Sequence, residues 1–207
     1  AFGDRAPMRK PADAHPRQPK YSLLRHFMGE LDLLLIFFSR RCRYHCRFCA
    51  LPLDSSAGDL SPDELAVQAM AVLNKYAAAL HVVERITLSN DGSILDERTF
   101  PPSLLDELVK GLQALPALRR ISLETRPEFI TMAWLDRLRE SSVKAVLDFL
   151  VGLETVDDRL RQVVLGKSVA RTSFENALDM LASYPKEAVT SYILVKPARE
   201  MTDQDAL

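Results

Sequence analysis

Cys42, Cys46 and Cys49 are the only cysteines in the chain, and they stand within eight residues of one another as Cys-x3-Cys-x2-Cys. Three thiolates so close in sequence converge only if the loop that carries them wraps a common centre, which is a metal-ligand arrangement. A structural zinc asks for four tetrahedral ligands, and no fourth follows at matching spacing. Three ligands without a fourth suit an iron–sulfur cluster with one iron left open to another molecule. The alternative is a zinc knuckle completed by His45 or a distant histidine, although His45 lies between the cysteines rather than at the usual offset. A disulfide framework fits poorly, because three is odd and the pairs are too local to staple a fold.

Such a loop needs a rigid support, and the sequence supplies one. The apolar run Leu31–Phe38 precedes it and reads as a parallel strand buried on both faces. Ser61-Pro62-Asp63-Glu64 then combines a capping serine, a proline at the first helical position and a glutamate that closes a capping box, predicting a helix to about Leu80. Strands are expected at 85–89, 120–123, 145–153 and 189–195. Helices are expected from Pro101/Pro102 to Leu115, from Thr131, at 157–165, and from a capping box Thr172-x-x-Glu175 to Tyr184. Thr202-x-x-Asp205 resembles a further helix start. Strand and helix alternate five times without a hairpin signal, so the expected fold is α/β, a partial TIM-type (β/α) barrel with five parallel βα units of an expected six.

The strand ends carry the second chemical signal. Asn90, Asp91 and Ser93 follow the second strand, Glu124 and Arg126 the third, Glu154 the fourth and Lys196 the fifth. In β/α barrels the carboxyl ends of the strands form the catalytic face, so these scattered residues are expected to converge under the cysteine loop. Any one of them alone would more often be a helix cap or a solvated loop residue.

Length and composition fit one globular domain with a substantial core: 207 residues, 47% hydrophobic and only seven glycines. Residues 1–30 read as a flexible basic extension with a short helix over 21–30, and 31–207 as the barrel. Ten Lys and Arg against four Asp and Glu in residues 1–50 give +6, so with a net charge of −1 the remainder carries −7. That basic end could attract phosphate, or could simply balance an anionic cluster. Cysteine confined to one loop, with no signal-peptide pattern, points to a reducing cytoplasmic setting, and no apolar run approaches a membrane span.

Cys-x3-Cys-x-Phe-Cys after a first barrel strand resembles the signature of the radical S-adenosylmethionine enzymes. The resemblance implies that Cys42, Cys46 and Cys49 hold three irons of a [4Fe–4S] cluster and that the fourth iron is chelated by S-adenosylmethionine. Reductive cleavage then gives methionine and a 5′-deoxyadenosyl radical that abstracts hydrogen from a substrate. It places Phe48 beside the adenine. Four further phrases, Ser89–Glu97, Glu124–Ile130, Val151–Thr155 and Tyr192–Pro197, resemble the subgroup of the elongator catalytic subunit and the archaeosine-forming radical enzyme. Asn90-Asp91-Gly92-Ser93 stands where the wider family has a Gly-Gly-Glu-like turn for the amino group of S-adenosylmethionine. Glu124 and Arg126 become candidates for its methionine carboxylate or ribose, and Glu154 for the ribose hydroxyls.

The resemblance thus implies modification of a tRNA nucleoside and an electron donor such as flavodoxin or ferredoxin. A radical enzyme acting on a small molecule or peptide, and a non-enzymatic metal-binding RNA module, remain as alternatives. Because the chain stops at a helix start with five strands, the sequence reads either as a fragment or as a sheet completed by a partner chain.

Overall fold

The computed structural model describes residues 16–195, apart from the side chain of Pro52. Six strands form one sheet in the order β1-β2-β3-β4-β5-β6: Tyr21–Phe27, Glu30–Ile36, Arg85–Ser89, Arg120–Thr125, Val146–Glu154 and Ala188–Ile193. Pairings from β2 to β6 are parallel, and β1 alone runs antiparallel, against β2. The helices between the parallel strands are α1 (Pro62–Lys75), α2 (Pro102–Leu112), α3 (Met132–Ser141) and α4 (Arg171–Ala182). The five parallel strands of a partial barrel are therefore present. Lys196, Pro197, Thr202 and Asp205 lie outside the described residues.

The short helix expected over 21–30 is instead β1, so this part of the supposed extension belongs to the sheet. Tyr21, Leu24 and Met28 fall at helical spacing, but the chain pairs with β2 along its whole length, from Tyr21↔Ile36 to Phe27↔Glu30. Met28 and Gly29 turn the hairpin with φ of 52° and 83°, the left-handed pair that a two-residue turn needs. Met-Gly lacks the Asn or Asp that usually announces such a turn, which is why the sequence shows no hairpin signal. Residues before β1 are also tied down: Gln68 Nε2 donates to the Pro16 carbonyl at 2.7 Å.

Local signals decide most helix starts. Ser61 Oγ accepts from the Glu64 N–H at 3.2 Å while the Glu64 carboxylate accepts from the Ser61 N–H at 2.8 Å, the expected capping box. Thr131 caps α3 by accepting from the Trp134 N–H. Three expectations need correction. Helix α1 closes at Lys75, with a short 3-10 turn at Ala77–Ala79 after it. Thr172 lies inside α4, whose cap is Ala170, so its capping box does not form; Glu175 pairs with Arg171 at 2.7 Å instead. The helix expected at 157–165 forms over 158–164, but Leu160–Val164 within it is π-helical rather than α-helical.

The pleat separates two faces of the sheet. Leu33, Leu35, Ile86, Leu88, Ile121, Leu123, Leu147 and Phe149 join Leu65, Val72, Leu105, Val109, Leu135 and Leu138 of the helices in one apolar core. The opposite face is polar although buried. Arg85 bonds Asp148 and Ser122, each at 2.7 Å, and Thr87 donates to Asp32 at 2.8 Å. Among the described residues no helix is long and apolar enough to cross a membrane.

Candidate radical-cofactor site

A cavity of about 340 Å³ opens at the carboxyl ends of the parallel strands. Cys42, Cys46 and Cys49 line it together with Phe48, Asp91, Gly92, Glu124, Arg126 and Glu154. The strand ends and the cysteine loop therefore converge as the βα alternation requires. Asn90 and Ser93 are buried but do not line the cavity. Asn90 holds its own turn, donating to Thr99 Oγ1 at 3.1 Å and accepting from the Gly92 N–H at 2.9 Å, while the Ser93 hydroxyl pairs with that of Thr125. Their part is to shape the turn that presents Asp91 and Gly92. A Cβ on Gly92 would stand 3.5 Å from that of Cys42, so the turn passes close beneath the cysteine loop.

The donor chemistry of the loop fits a cluster. All three thiols are free and half-buried. Among the described residues no three His, Cys, Asp or Glu side chains are grouped to hold a single metal ion. A [4Fe–4S] cluster takes its thiolates on separate irons, so its ligands need not close on one point. His45 is exposed and does not line the cavity, which removes the motive for a zinc knuckle built on it. Burial pushes the Cys42 and Cys49 thiols up, against the pull of the Tyr44 and Leu51 backbone groups. Thiols in this state ionise when a cationic metal centre arrives to share their charge.

Each ionisable wall residue has a distinct environment. Asp91 accepts from the Ser39 N–H at 2.9 Å and pairs with Lys20, which also donates to the Leu51 carbonyl at 2.6 Å. Burial nevertheless raises its carboxyl to about 6, with the Lys20 and Ser39 bonds opposing. Arg126 is committed within the protein: Nε to Glu128 at 2.6 Å, Nη2 to the Lys167 carbonyl at 2.8 Å, Nη1 3.8 Å from Cys46 Sγ, and its Cζ 3.6 Å from the centre of the Tyr44 ring. Burial raises the Glu124 carboxyl, with the Ser89 hydroxyl and Lys167 holding it back. Phe48 lines the cavity and packs against Leu160 and Leu165, at the start of the π turn and just past its end.

Glu154 has a left-handed backbone, φ 66°, at an irregularity where β5 leaves its ladder with β6. Its carboxylate pairs with Lys167 at 2.5 Å, and Lys167 also donates to the Gly152 carbonyl. A Cβ at residue 152 would overlap both Glu154 Oε1 and Lys167 Nζ, so glycine there makes room for the pair. Sequence reading missed Gly152, Lys167 and Tyr192 as wall residues, and Lys20 as the partner of Asp91. Gly152 offered a signal, being a glycine within a mainly apolar strand. Tyr192 offered alternation along β6, and burial pushes its phenol up to about 12, aided by the neighbouring Glu124. Lys20 and Lys167 offered none, since they approach from outside the strand ends.

Comparison with known proteins accords with this geometry. The chain is 27% identical over 177 residues to archaeosine synthase subunit beta of Methanosarcina acetivorans, covering 80% of this chain and 48% of that protein. It is 23% identical over 191 residues to the uncharacterized protein MJ0550 of Methanocaldococcus jannaschii, covering 89% and 52%. The chain thus spans about half the length of the curated relatives it matches. The family model for the Radical SAM superfamily matches residues 36–200, from the end of β2 past β6. With the cysteine loop and the strand ends all inside that span, the chain belongs to the radical SAM superfamily, whose enzymes use a [4Fe–4S] cluster and S-adenosylmethionine.

Proposed function

We propose that this chain forms the radical-generating part of an enzyme that modifies a tRNA nucleoside. The observation that carries the reading is the cavity in which three free thiols meet Asp91, Glu124, Glu154 and Lys167 at one end of a parallel sheet. When bound, the cluster and S-adenosylmethionine supply one-electron reductive cleavage of a sulfonium and a primary carbon radical. The chain's own residues do the rest. Cys42, Cys46 and Cys49 hold the metal. Asp91, which already meets Lys20 and the Ser39 N–H, would offer its carboxylate with the Gly92 turn to an ammonium group that shares it with Lys20. Glu154 accepts from ribose hydroxyls, and Phe48 flanks the adenine. Glu124 and Arg126 remain candidates near the methionine carboxylate or ribose, although Arg126 acts more readily as a strut, its nitrogens already bonded. Leu and Phe side chains around the polar groups limit water, which a reactive radical requires.

Support for tRNA as substrate comes from the likeness to archaeosine synthase subunit beta and from the phrases Ser89–Glu97 and Glu124–Ile130. The cysteine loop adds to it. Arg41 and Arg47 are exposed on it, where guanidinium groups suit phosphate, whereas Arg43 is held by Asp96 at 3.0 Å. Arg40 is paired with Asp59 at 2.6 Å and is less available. An electron donor such as flavodoxin or ferredoxin completes the reaction.

The test is anaerobic turnover of the reconstituted, reduced protein, reading 5′-deoxyadenosine release, together with a tRNA gel shift at two salt concentrations. Release of 5′-deoxyadenosine and salt-sensitive tRNA binding weakened by Arg41→Glu/Arg47→Glu are expected. Release without any tRNA binding would move the substrate to a small molecule or peptide.

Asp91 gives this reading a pH dependence. Its carboxyl, held at about 6, ionises as pH rises from 5 to 7, and an ammonium group binds the ionised form better. Affinity for S-adenosylmethionine should therefore increase over that window, and Asp91→Asn should flatten the rise. Equal pH profiles for the two proteins would remove Asp91 from the amino-group site.

A further inference from the structure

We infer that Lys167 is a positioning residue for the cosubstrate, holding Glu154 in the orientation in which it meets the ribose; this rests on the reading of Glu154 given above. Lys167 is 5% exposed and Glu154 also 5% exposed, so the ion pair between them is buried in the cavity wall. The ammonium group has two partners, Glu154 Oε1 at 2.5 Å and the Gly152 carbonyl. Both lie on β5, whose ladder with β6 is irregular between these two residues. Glu154 occupies a backbone conformation that non-glycine residues rarely adopt, and such conformations persist where surrounding contacts hold them. Lys167 supplies such contacts from a different element.

The lysine is itself set from three sides. Its N–H donates to the Arg161 carbonyl at 3.0 Å, closing the end of the π turn, a feature frequent at functional sites. Arg161 is fully buried and anchors that segment, donating from Nε to the Val169 carbonyl at 2.9 Å. The Lys167 carbonyl accepts from Arg126 Nη2, and another nitrogen of Arg126 stands 3.8 Å from Cys46 Sγ. Gly166, at φ 63°, lets the chain pass beneath the cysteine loop, where a Cβ would stand 3.5 Å from the His45 carbonyl. The Arg47 N–H donates to the Leu165 carbonyl at 2.8 Å. One short segment thus touches the loop that holds the metal and the carboxylate at the far wall. Its effect is to fix the distance between cluster and ribose site.

The experiment uses cluster-reconstituted protein and measures anaerobic equilibrium binding of S-adenosylmethionine and of 5′-methylthioadenosine, which has the ribose but no amino-acid end. Lys167→Met should weaken 5′-methylthioadenosine at least tenfold at unchanged iron content, and Lys167→Arg should restore most of the loss. Glu154→Gln should show a similar loss. Glu154→Gln/Lys167→Met should show no further loss, and because it leaves no unpaired buried charge, it also serves if Lys167→Met folds poorly. Weak binding by Glu154→Gln with wild-type binding by Lys167→Met overturns the positioning role alone. Wild-type binding by Glu154→Gln overturns the ribose reading and this inference with it. Loss of iron in Lys167→Met, not seen in Glu154→Gln, would make the lysine a support of the cysteine loop instead.

Discussion

Single replacement of Cys42, Cys46 or Cys49 by alanine should remove the iron almost completely, whereas His45→Ala should retain it. The three thiols share one cavity, and its lining includes no histidine and no further cysteine. Two thiolates hold a cluster poorly, so each single change should act nearly as strongly as all three. His45 faces outward from the same loop, so its removal alters neither ligand count nor cavity wall. Iron and sulfide analysis of anaerobically reconstituted variants, with visible absorption, checks this. If His45→Ala lost metal as fully as a cysteine change, a mixed thiolate–imidazole site would be indicated. The protein fold should outlast these changes, because the apolar core lies on the opposite face of the sheet.

Stability should depend most sharply on Arg85. Its side chain is 3% exposed and joins Asp148, Ser122 and Glu30, with the guanidinium 5.2 Å from the Phe27 ring. It therefore ties β3 to β4, to β5 and to the start of β2. Replacement by methionine leaves Asp148 buried with only the Ser122 and Thr190 hydroxyls, and Glu30 with Arg120 at 3.3 Å. Breaking one side of a buried ion pair typically costs about 3–5 kcal/mol, because the other charge stays buried without its partner. Urea denaturation of Arg85→Met should show a loss of that order, and Arg85→Met/Asp148→Leu should recover much of it. A loss below about 1 kcal/mol would mean that water reaches Asp148 and that the polar face is wetter than its burial indicates. The network lies on the same face of the sheet as the cavity, so its strength bears on how well the strand ends stay aligned.

Different kinds of signal made different parts of this molecule readable from sequence. The cysteine loop was readable because metal ligation demands a spacing as well as a residue type. Strands β2 and β5 were readable because burial on both faces leaves nearly continuous apolar runs, and Ser61 with Glu64 marked a helix start by reciprocal bonding that depends only on local chain. Strand β1 was not readable, since Tyr21–Phe27 alternates weakly and its turn, Met28-Gly29, carries half of the usual signal. Nor was the polar face. Arg85-Ile86-Thr87-Leu88-Ser89 alternates as a half-exposed strand would, yet every residue in it is buried, the polar ones by pairing across three strands. Asp91, Glu124 and Glu154 were legible as strand ends. Their partners Lys20 and Lys167 were not, because only the folded chain brings a residue before β1 to the turn after β3. The Asn90 and Ser93 side chains show the converse: residues of the right type in the right turn are spent on shaping it.

The measurement that bears most directly on the central reading is electron paramagnetic resonance of the reduced, reconstituted protein with and without S-adenosylmethionine. Three cysteine ligands leave one iron of a [4Fe–4S] cluster open, and the cavity beside them has room for a ligand. The expected result is a low-temperature signal of a reduced [4Fe–4S] cluster whose g-values shift when S-adenosylmethionine is added, with about four iron and four sulfide per chain. Stoichiometric zinc without iron, or a cluster signal that the addition leaves unchanged, would contradict it.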